Sequence, residues 1–264
     1  MRNEFDSEKA ARACLHRLTL GLLVVWFIKS PAFSAASAAS LTRGPYLQLG
    51  TSTNIIVRWR TAEPTSSRVR FGLTPQTLDW PVTDSSEIIN HALTLTNLAP
   101  GTRYFYDVGT ETTELATGPD YYFLTAPTNA KPTRIWALGD AGASFNQPDY
   151  TGLGLIAEGQ RTVRDAYYAH VGSRYTDVWL LLGDNAYNEG VDGAYQTNFF
   201  NIYPEITRQS VIWPALGNHD VDVLGTGDDR AYLDVFPPPT RGEAGGVPSN
   251  SERYYSFDYG NIHF

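Results

Sequence analysis

The sequence predicts two units in tandem, an all-β sandwich followed by an α/β unit, on the strength of three observations. Between residues 41 and 127, short β-branched and aromatic runs are separated by Gly, Pro, Asn and Asp, with no helical period between them. From Arg134 onward, apolar runs of strand length alternate with stretches of helical spacing, which is α/β logic. Three of those runs close on a glycine followed at once by an acid or an amide: Leu138-Gly139-Asp140, Leu182-Gly183-Asp184 and Leu216-Gly217-Asn218.

Taken in order, residues 1–38 read as an export signal. Arg12, His16 and Arg17 precede an apolar run from Leu18 to Ile28, and Ala36-Ser37-Ala38 offers a small-residue cleavage site. The run is well short of the roughly 20 residues a membrane-spanning helix needs. The expected destination is therefore secreted or periplasmic, with no stable membrane span after removal. Glu4, Asp6 and Glu8 are unusual company for a signal, so the true start is expected further in. The single cysteine, Cys14, lies in this segment before the apolar run, which argues against a lipid anchor and leaves the rest without disulfides or thiolate sites.

Residues 41–127 form the predicted sandwich. Ile55–Trp59, Ser67–Phe71, Ala92–Leu95 and Tyr104–Val108 are expected as separate strands, and turn signals every ten or so residues over this length suggest seven in all. His91 opens one strand and reads as structural. Thr128 to Thr133, with prolines nearby, is the expected linker.

The α/β unit is expected over residues 133–264. Its first strand ends at Gly139-Asp140; a polar, Gly-rich loop to about Tyr150 and a helix from Leu155-Ile156 to Tyr168 follow. The second strand ends at Gly183-Asp184. A second helix, roughly Gly193 to Ile206, is expected to carry Tyr195, Phe199, Phe200 and Ile202 to the sheet, and the third strand ends at Gly217-Asn218. Asp140 and Asp184 lie 44 positions apart, Asp184 and Asn218 34. Each interval holds a strand, crossover helix and strand, which take roughly 30 residues or more. Three neighbouring parallel strands would then deliver Asp140, Asp184 and Asn218 to one carboxyl-terminal edge, where α/β sheets bind ligands. Two carboxylates and an amide oxygen converging there suit hard cations. The terminal run from Tyr254 to Phe264 alternates like a hairpin turning at Gly260-Asn261, and His170 and His263 read as structural.

Over 264 residues the net charge is −8, which makes nucleic acid a poor partner.

Taken together, Gly139-Asp140-Ala141-Gly142, Gly183-Asp184-Asn185-Ala186-Tyr187 and Gly217-Asn218-His219-Asp220 resemble the three opening blocks of the calcineurin-like metallophosphoesterases, and more narrowly of the purple acid phosphatases. Upstream, Asn97 to Tyr106 is similar to the late-strand signature of fibronectin type III domains. The implied fold is a fibronectin type III-like sandwich followed by the first half of a four-layer αββα metallophosphoesterase core. The implied site holds two metals: Asp140 on the first, Asp184 bridging both, and Asn218 on the second through its side-chain oxygen. Tyr187 would bind the first metal as a phenolate, which favours Fe(III) there, because a phenol of pKa near 10 ionises at neutral or acid pH only beside a strong Lewis acid. The second ion would be divalent Fe, Zn or Mn. His219 would protonate or stabilise the leaving oxygen, and Asn185, Asn188 and Asp220 would support the ligands. Two such metals hold a small phosphate ester and lower the pKa of a bound water from 15.7 toward about 7, supplying hydroxide for in-line attack.

Each residue also has an ordinary reading. Gly-Asp is a common turn dipeptide, and Tyr187 is one of 16 tyrosines; what favours ligands is their joint occurrence at strand ends. The resemblance further implies three histidines in Val-x-x-His and Gly-His-x-His blocks, and neither block occurs here. The expectation is therefore a C-terminally truncated fragment, inactive alone, of an exported acid phosphatase. The alternatives are a phosphodiesterase or nucleotide hydrolase on the same core, or a fibronectin-type binding protein whose phosphatase half is vestigial. Retention of Asp140, Asp184, Tyr187, Asn218 and His219 argues against the last.

Overall fold

The computed structural model describes residues 39–142, 156–221 and 229–264. The expected signal segment and the polar loop after Gly142 lie outside them.

Six strands make up the first half: β1 (Leu41–Gln48), β2 (Ile55–Gly72), β3 (Trp80–Leu95), β4 (Arg103–Gly109), β5 (Glu114–Ala116) and β6 (Tyr122–Leu124). All pair antiparallel, in the order β1-β2-β4-β5, with β3 also on β2 and β6 also on β4. Two separate strands were expected at Ile55–Trp59 and Ser67–Phe71; they are one strand of 18 residues, so the count is six and not seven. The first part of β2 pairs with β1, from Gln48↔Ile56 to Leu41↔Thr61, and the last part with β4, from Arg68↔Gly109 to Gly72↔Phe105. β2 thus leaves one set of partners for another part-way along, as strands do at sandwich corners. The change falls at a register shift against β3, between Arg60↔Asn90 and Thr65↔Ile88. Pro64 sits in that gap, where no ladder bond needs its missing N–H.

His91 fastens this corner. It is fully buried, stacks on Trp59 with centroids 4.7 Å apart, and reaches Thr61 Oγ1 through Nε2 (2.9 Å) and Ser67 Oγ through Nδ1 (2.8 Å). Burial lowers its pKa to about 4. The structural reading of His91 follows from these contacts. Further on, the Tyr104 hydroxyl accepts the Ala99 N–H at 2.9 Å, closing the Asn97–Gly101 turn.

The second half is built on β7 (Ile135–Leu138), β8 (Val178–Leu181) and β9 (Ile212–Pro214), parallel and adjacent in that order. Alternate residues serve two different cores. Trp136, Trp179, Leu181 and Ile212 pack with Tyr195, Phe199, Tyr203 and Phe236. Val178, Val211 and Trp213 face the other way and join Leu47, Trp59 and Phe123 of the first half. β8 and β9, buried on both faces, read as continuous apolar runs, whereas Ile135 and Ala137 on the outer face of β7 are exposed. A parallel bridge from Leu47 to Val211 adds a backbone tie between the halves.

Helix α1 (Ile156–Val171) lies between β7 and β8 in the chain. It ends because Gly172 adopts φ 57° and donates its N–H to Tyr168 O at 2.9 Å, a left-handed cap that glycine accepts without strain. The expected single helix from Gly193 to Ile206 is in fact three short pieces: α2 (Asp192–Ala194), a π turn (Tyr195–Phe200) and α3 (Pro204–Thr207). The wider π turn, with Asn201 N–H bonded to Gln196 O, lets Tyr195, Phe199 and Phe200 all face inward. Proline then opens α3 where its missing N–H costs nothing. Helix α4 (Arg230–Val235) was not foreseen. The closing hairpin, β10 (Asp258–Tyr259) and β11 (Ile262–His263), turns at Gly260-Asn261 as the alternation implied. His263 holds Asp258 at 2.6 Å. No helix of the described residues is long and apolar enough to cross a membrane.

Candidate functional site

The parallel order of β7, β8 and β9 sends the three following loops off one sheet edge. Asp140 follows β7, Asp184 follows β8, and Asn218-His219-Asp220 forms a 3-10 turn after β9. The loops interlock through their backbones. Asp140 N–H bonds Gly183 O, Gly142 N–H bonds Asp184 O (both 3.2 Å), and Tyr187 N–H bonds Gly142 O at 2.8 Å. A Cβ on Gly142 would strike the backbone of Asn185, and one on Gly217 would strike Asp184, so both positions require a bare backbone. Asp140 and Asp184 have φ of 54° and 55°. Left-handed backbone costs an L-residue about 1–2 kcal/mol, and here the surrounding loop contacts impose it twice on the two acids of interest.

Four of the five residues singled out from the sequence, Asp140, Asp184, Tyr187 and His219, meet directly. The Tyr187 hydroxyl contacts Asp140 Oδ1 and lies 2.8 Å from Asp184 Oδ2. Asp184 Oδ1 accepts the His219 backbone N–H at 2.9 Å, so both oxygens of this carboxylate are oriented. The His219 ring packs against Tyr187 with centroids 4.4 Å apart. Its Nδ1 lies 2.8 Å from Asn188 O. A carbonyl only accepts, so Nδ1 carries a proton and donates it to Asn188 O. Asn218 sits between Gly217 and His219, both against Asp184; its own side chain is exposed and has no hydrogen-bond partner among the described residues.

Beneath this layer, Asp220 is fully buried and takes four hydrogen bonds. They come from Asn185 N–H (2.9 Å), Asn185 Nδ2 (2.9 Å), Gly217 N–H (2.8 Å) and the Tyr195 hydroxyl (2.8 Å). Burial pushes its pKa up while these donors pull it back, with burial ahead. Asn185, also buried, bonds Ala215 O at 2.9 Å, so Asp220 and Asn185 tie the Asp184 loop to the Asn218 loop. Asn188 serves through its carbonyl, not its amide. Sequence reasoning missed two supports. Asn198 donates to Tyr187 O at 2.6 Å and Gln160 donates to Asn198 O at 2.7 Å. Their signal was available: each is a lone amide on the inward face of a helical run.

Among the described residues, no group of three or more His, Cys, Asp or Glu side chains is disposed to hold a metal ion. The donors that do meet are two carboxylates and a phenol, an all-oxygen set suited to a hard cation. Their contacts also leave a deficit. A phenol has one proton and can satisfy one carboxylate at a time, yet two carboxylate oxygens close on Tyr187 Oη. Partial burial, then the two facing acids, push the phenol pKa well up. A cation among these oxygens would replace the missing proton and favour the phenolate, so the residues fit such an ion.

Residues 42–125 match the model of the "Purple acid Phosphatase, N-terminal domain" family. The chain is 26% identical over 206 residues to purple acid phosphatase 15 of Arabidopsis thaliana, covering 68% of this chain and 34% of that one. It is 28% identical over 195 residues to purple acid phosphatase 23 of the same plant, covering 68% and 40%. Among solved structures, purple acid phosphatase PPD1 from yellow lupin (Lupinus luteus) seeds superposes with a TM-score of 0.55 at 18% identity, over 84% of this chain and 44% of that one. PhoD superposes with a TM-score of 0.52 at 13% identity, over 88% and 52%. These two likenesses concern the fold alone. The chain spans well under half the length of the curated relatives it matches.

Proposed function

We propose, on the premise that this chain carries the purple acid phosphatase N-terminal domain and is similar in sequence to two members of that family, that the loops after β7, β8 and β9 contribute to a two-metal centre for phosphate monoester hydrolysis. The activity is proposed for the whole protein bearing these residues, and export is proposed from the character of residues 1–38. The observation that carries the reading is the meeting of Asp140, Asp184 and Tyr187 at one oxygen, at the carboxyl edge of a parallel sheet.

Asp140 and Tyr187 would hold one ion, Asp184 would lie between two, and Asn218 would offer its side-chain oxygen to the second. Fe(III) beside Tyr187 and a divalent ion beyond it match this donor set. When bound, the ions supply charge neutralisation for the phosphate and acidify water for in-line attack. The chain's own residues do the rest. The His219 N–H keeps Asp184 Oδ1 oriented, and Asp220 holds the Asp184 and Asn218 loops in register. His219 is anchored through Nδ1–H to Asn188 O, so that in the doubly protonated ring Nε2–H would hand its proton to the leaving oxygen and leave the neutral imidazole behind.

The test is metal content and hydrolysis of an aryl phosphate by the whole protein and its Asp184→Asn variant. Loss of both in the variant is expected; retention of metal and turnover together would remove Asp184 from the site and the reading with it.

A further inference from the structure

The loops that carry Asp140 and Tyr187 are joined by a closed ring of hydrogen bonds that runs through two buried amides. Gln160 of α1 reaches two carbonyls with one nitrogen: its Nε2 donates to Ala141 O, one residue past Asp140, and to Asn198 O at 2.7 Å. An amide nitrogen carries two N–H groups, so one serves each carbonyl. Asn198, on the π turn, donates its own Nδ2 to Tyr187 O at 2.6 Å. Tyr187 N–H then closes the ring on Gly142 O at 2.8 Å. Both amide side chains lie on residues only 7% exposed.

The ring grips backbone that has little else to hold it. Asp140 has φ of 54°, and the next carbonyl, on the buried Ala141, takes no backbone N–H among the described residues. Tyr187 O takes none either. A buried carbonyl without a donor is costly, so the two amides decide where these backbones rest. Turning either amide over would set oxygen against carbonyl oxygen, which fixes the direction of both. The side chains carried on this backbone are the pair whose oxygens meet, Asp140 Oδ1 and Tyr187 Oη. The Asp184 and Asn218 loops have a different tie, made by Asp220 and Asn185.

We infer that Gln160 and Asn198 are positioning residues for the Asp140 and Tyr187 half of the site, setting the spacing of carboxylate and phenol and so the grip on the ion between them. The inference rests on the two-metal reading above. Both residues act through backbone carbonyls, not through the ion or the substrate. Partners that orient metal ligands in this way are typically worth about 10–100-fold in metal affinity.

The test uses the whole protein and Fe(III), titrated in competition with citrate, and reads both the affinity and the charge-transfer band per bound iron. Gln160→Met keeps the length of the side chain and removes its donors. It should lower iron affinity about 10–100-fold and shift or weaken the band. Asn198→Leu removes the other donor, should act in the same direction, and keeps the test open should Gln160→Met not fold. Tyr104→Phe loses a hydrogen bond of the sandwich turn and should leave both readouts at parent values. Parent-like affinity or an unaltered band in the amide variants, or an equal change in Tyr104→Phe, would overturn the inference while the two-metal reading stands. A parent protein that binds no iron would instead overturn the two-metal reading, and this inference with it.

Discussion

Two histidines in this chain occupy opposite kinds of surroundings. His91, at the sandwich corner, is fully buried, stacked on Trp59 and engaged through both ring nitrogens by Thr61 and Ser67. His219, at the edge of the parallel sheet, is half-buried, anchored through Nδ1 alone, and rests on a tyrosine that two acids are already competing for. Residue type is the same. What differs is whether the polar capacity is used up. The sandwich spends the polar atoms of His91 on holding a bent strand together, whereas at the sheet edge Nε2 of His219 and the amide of Asn218 have no partner among the described residues and two carboxylate oxygens share one phenol. Backbone cost follows the same division: Asp140 and Asp184 are held in left-handed conformations at the edge.

That contrast can be broken from either side. The largest effect is expected beneath the edge. Asp220→Ala would leave the buried N–H groups of Asn185 and Gly217 without an acceptor and should cost about 3–5 kcal/mol in urea unfolding. A loss under about 1 kcal/mol would mean the two loops do not depend on it. Next, His219→Ala in the whole protein should lower kcat about 100-fold or more with little change in folding, while an equal fall in stability and kcat would make it a structural residue like His91.

The sandwich side gives a pH signature. His91 is neutral when folded, with a pKa of about 4, and ordinary when unfolded, near 6.5. Below pH 6.5 the unfolded chain takes up a proton that the folded chain refuses, so stability should fall as pH drops from 6.5 to about 4, by roughly 3 kcal/mol. His91→Gln should flatten the curve in this window. A curve of unchanged slope would assign the acid sensitivity to other groups.

The sheet edge was legible because apolar strand, glycine and polar residue follow one another directly, and the chain order of the three motifs is also their order in the sheet. The continuity of β2 was not. Pro64 and the polar run around it read locally as a turn, and only pairing with β3 on both sides of the gap keeps the chain extended. The division of the second helix was hidden for a similar reason. Tyr195, Phe199 and Phe200 have helical spacing, but seating them all inward needs a π turn, a requirement of packing and not of propensity. Arg58 and Arg60 alternate with Val57 and Trp59 as an outward strand face does, yet Arg58 meets α4 and Arg60 meets Asp192 of α2, neither of which a local pattern announced. Nor could composition reveal that Val178, Val211 and Trp213 share a core with the sandwich, since long-range packing alone joins them.

The central claim is that Tyr187, Asp140 and Asp184 surround one ion. It is tested most directly by the visible spectrum of the iron-loaded whole protein beside that of Tyr187→Phe, a change that removes one hydroxyl and should cost about 1 kcal/mol of stability or less. A charge-transfer band in the parent that disappears in Tyr187→Phe is the expected result; a band of equal strength in both would contradict the assignment of the phenol to the ion.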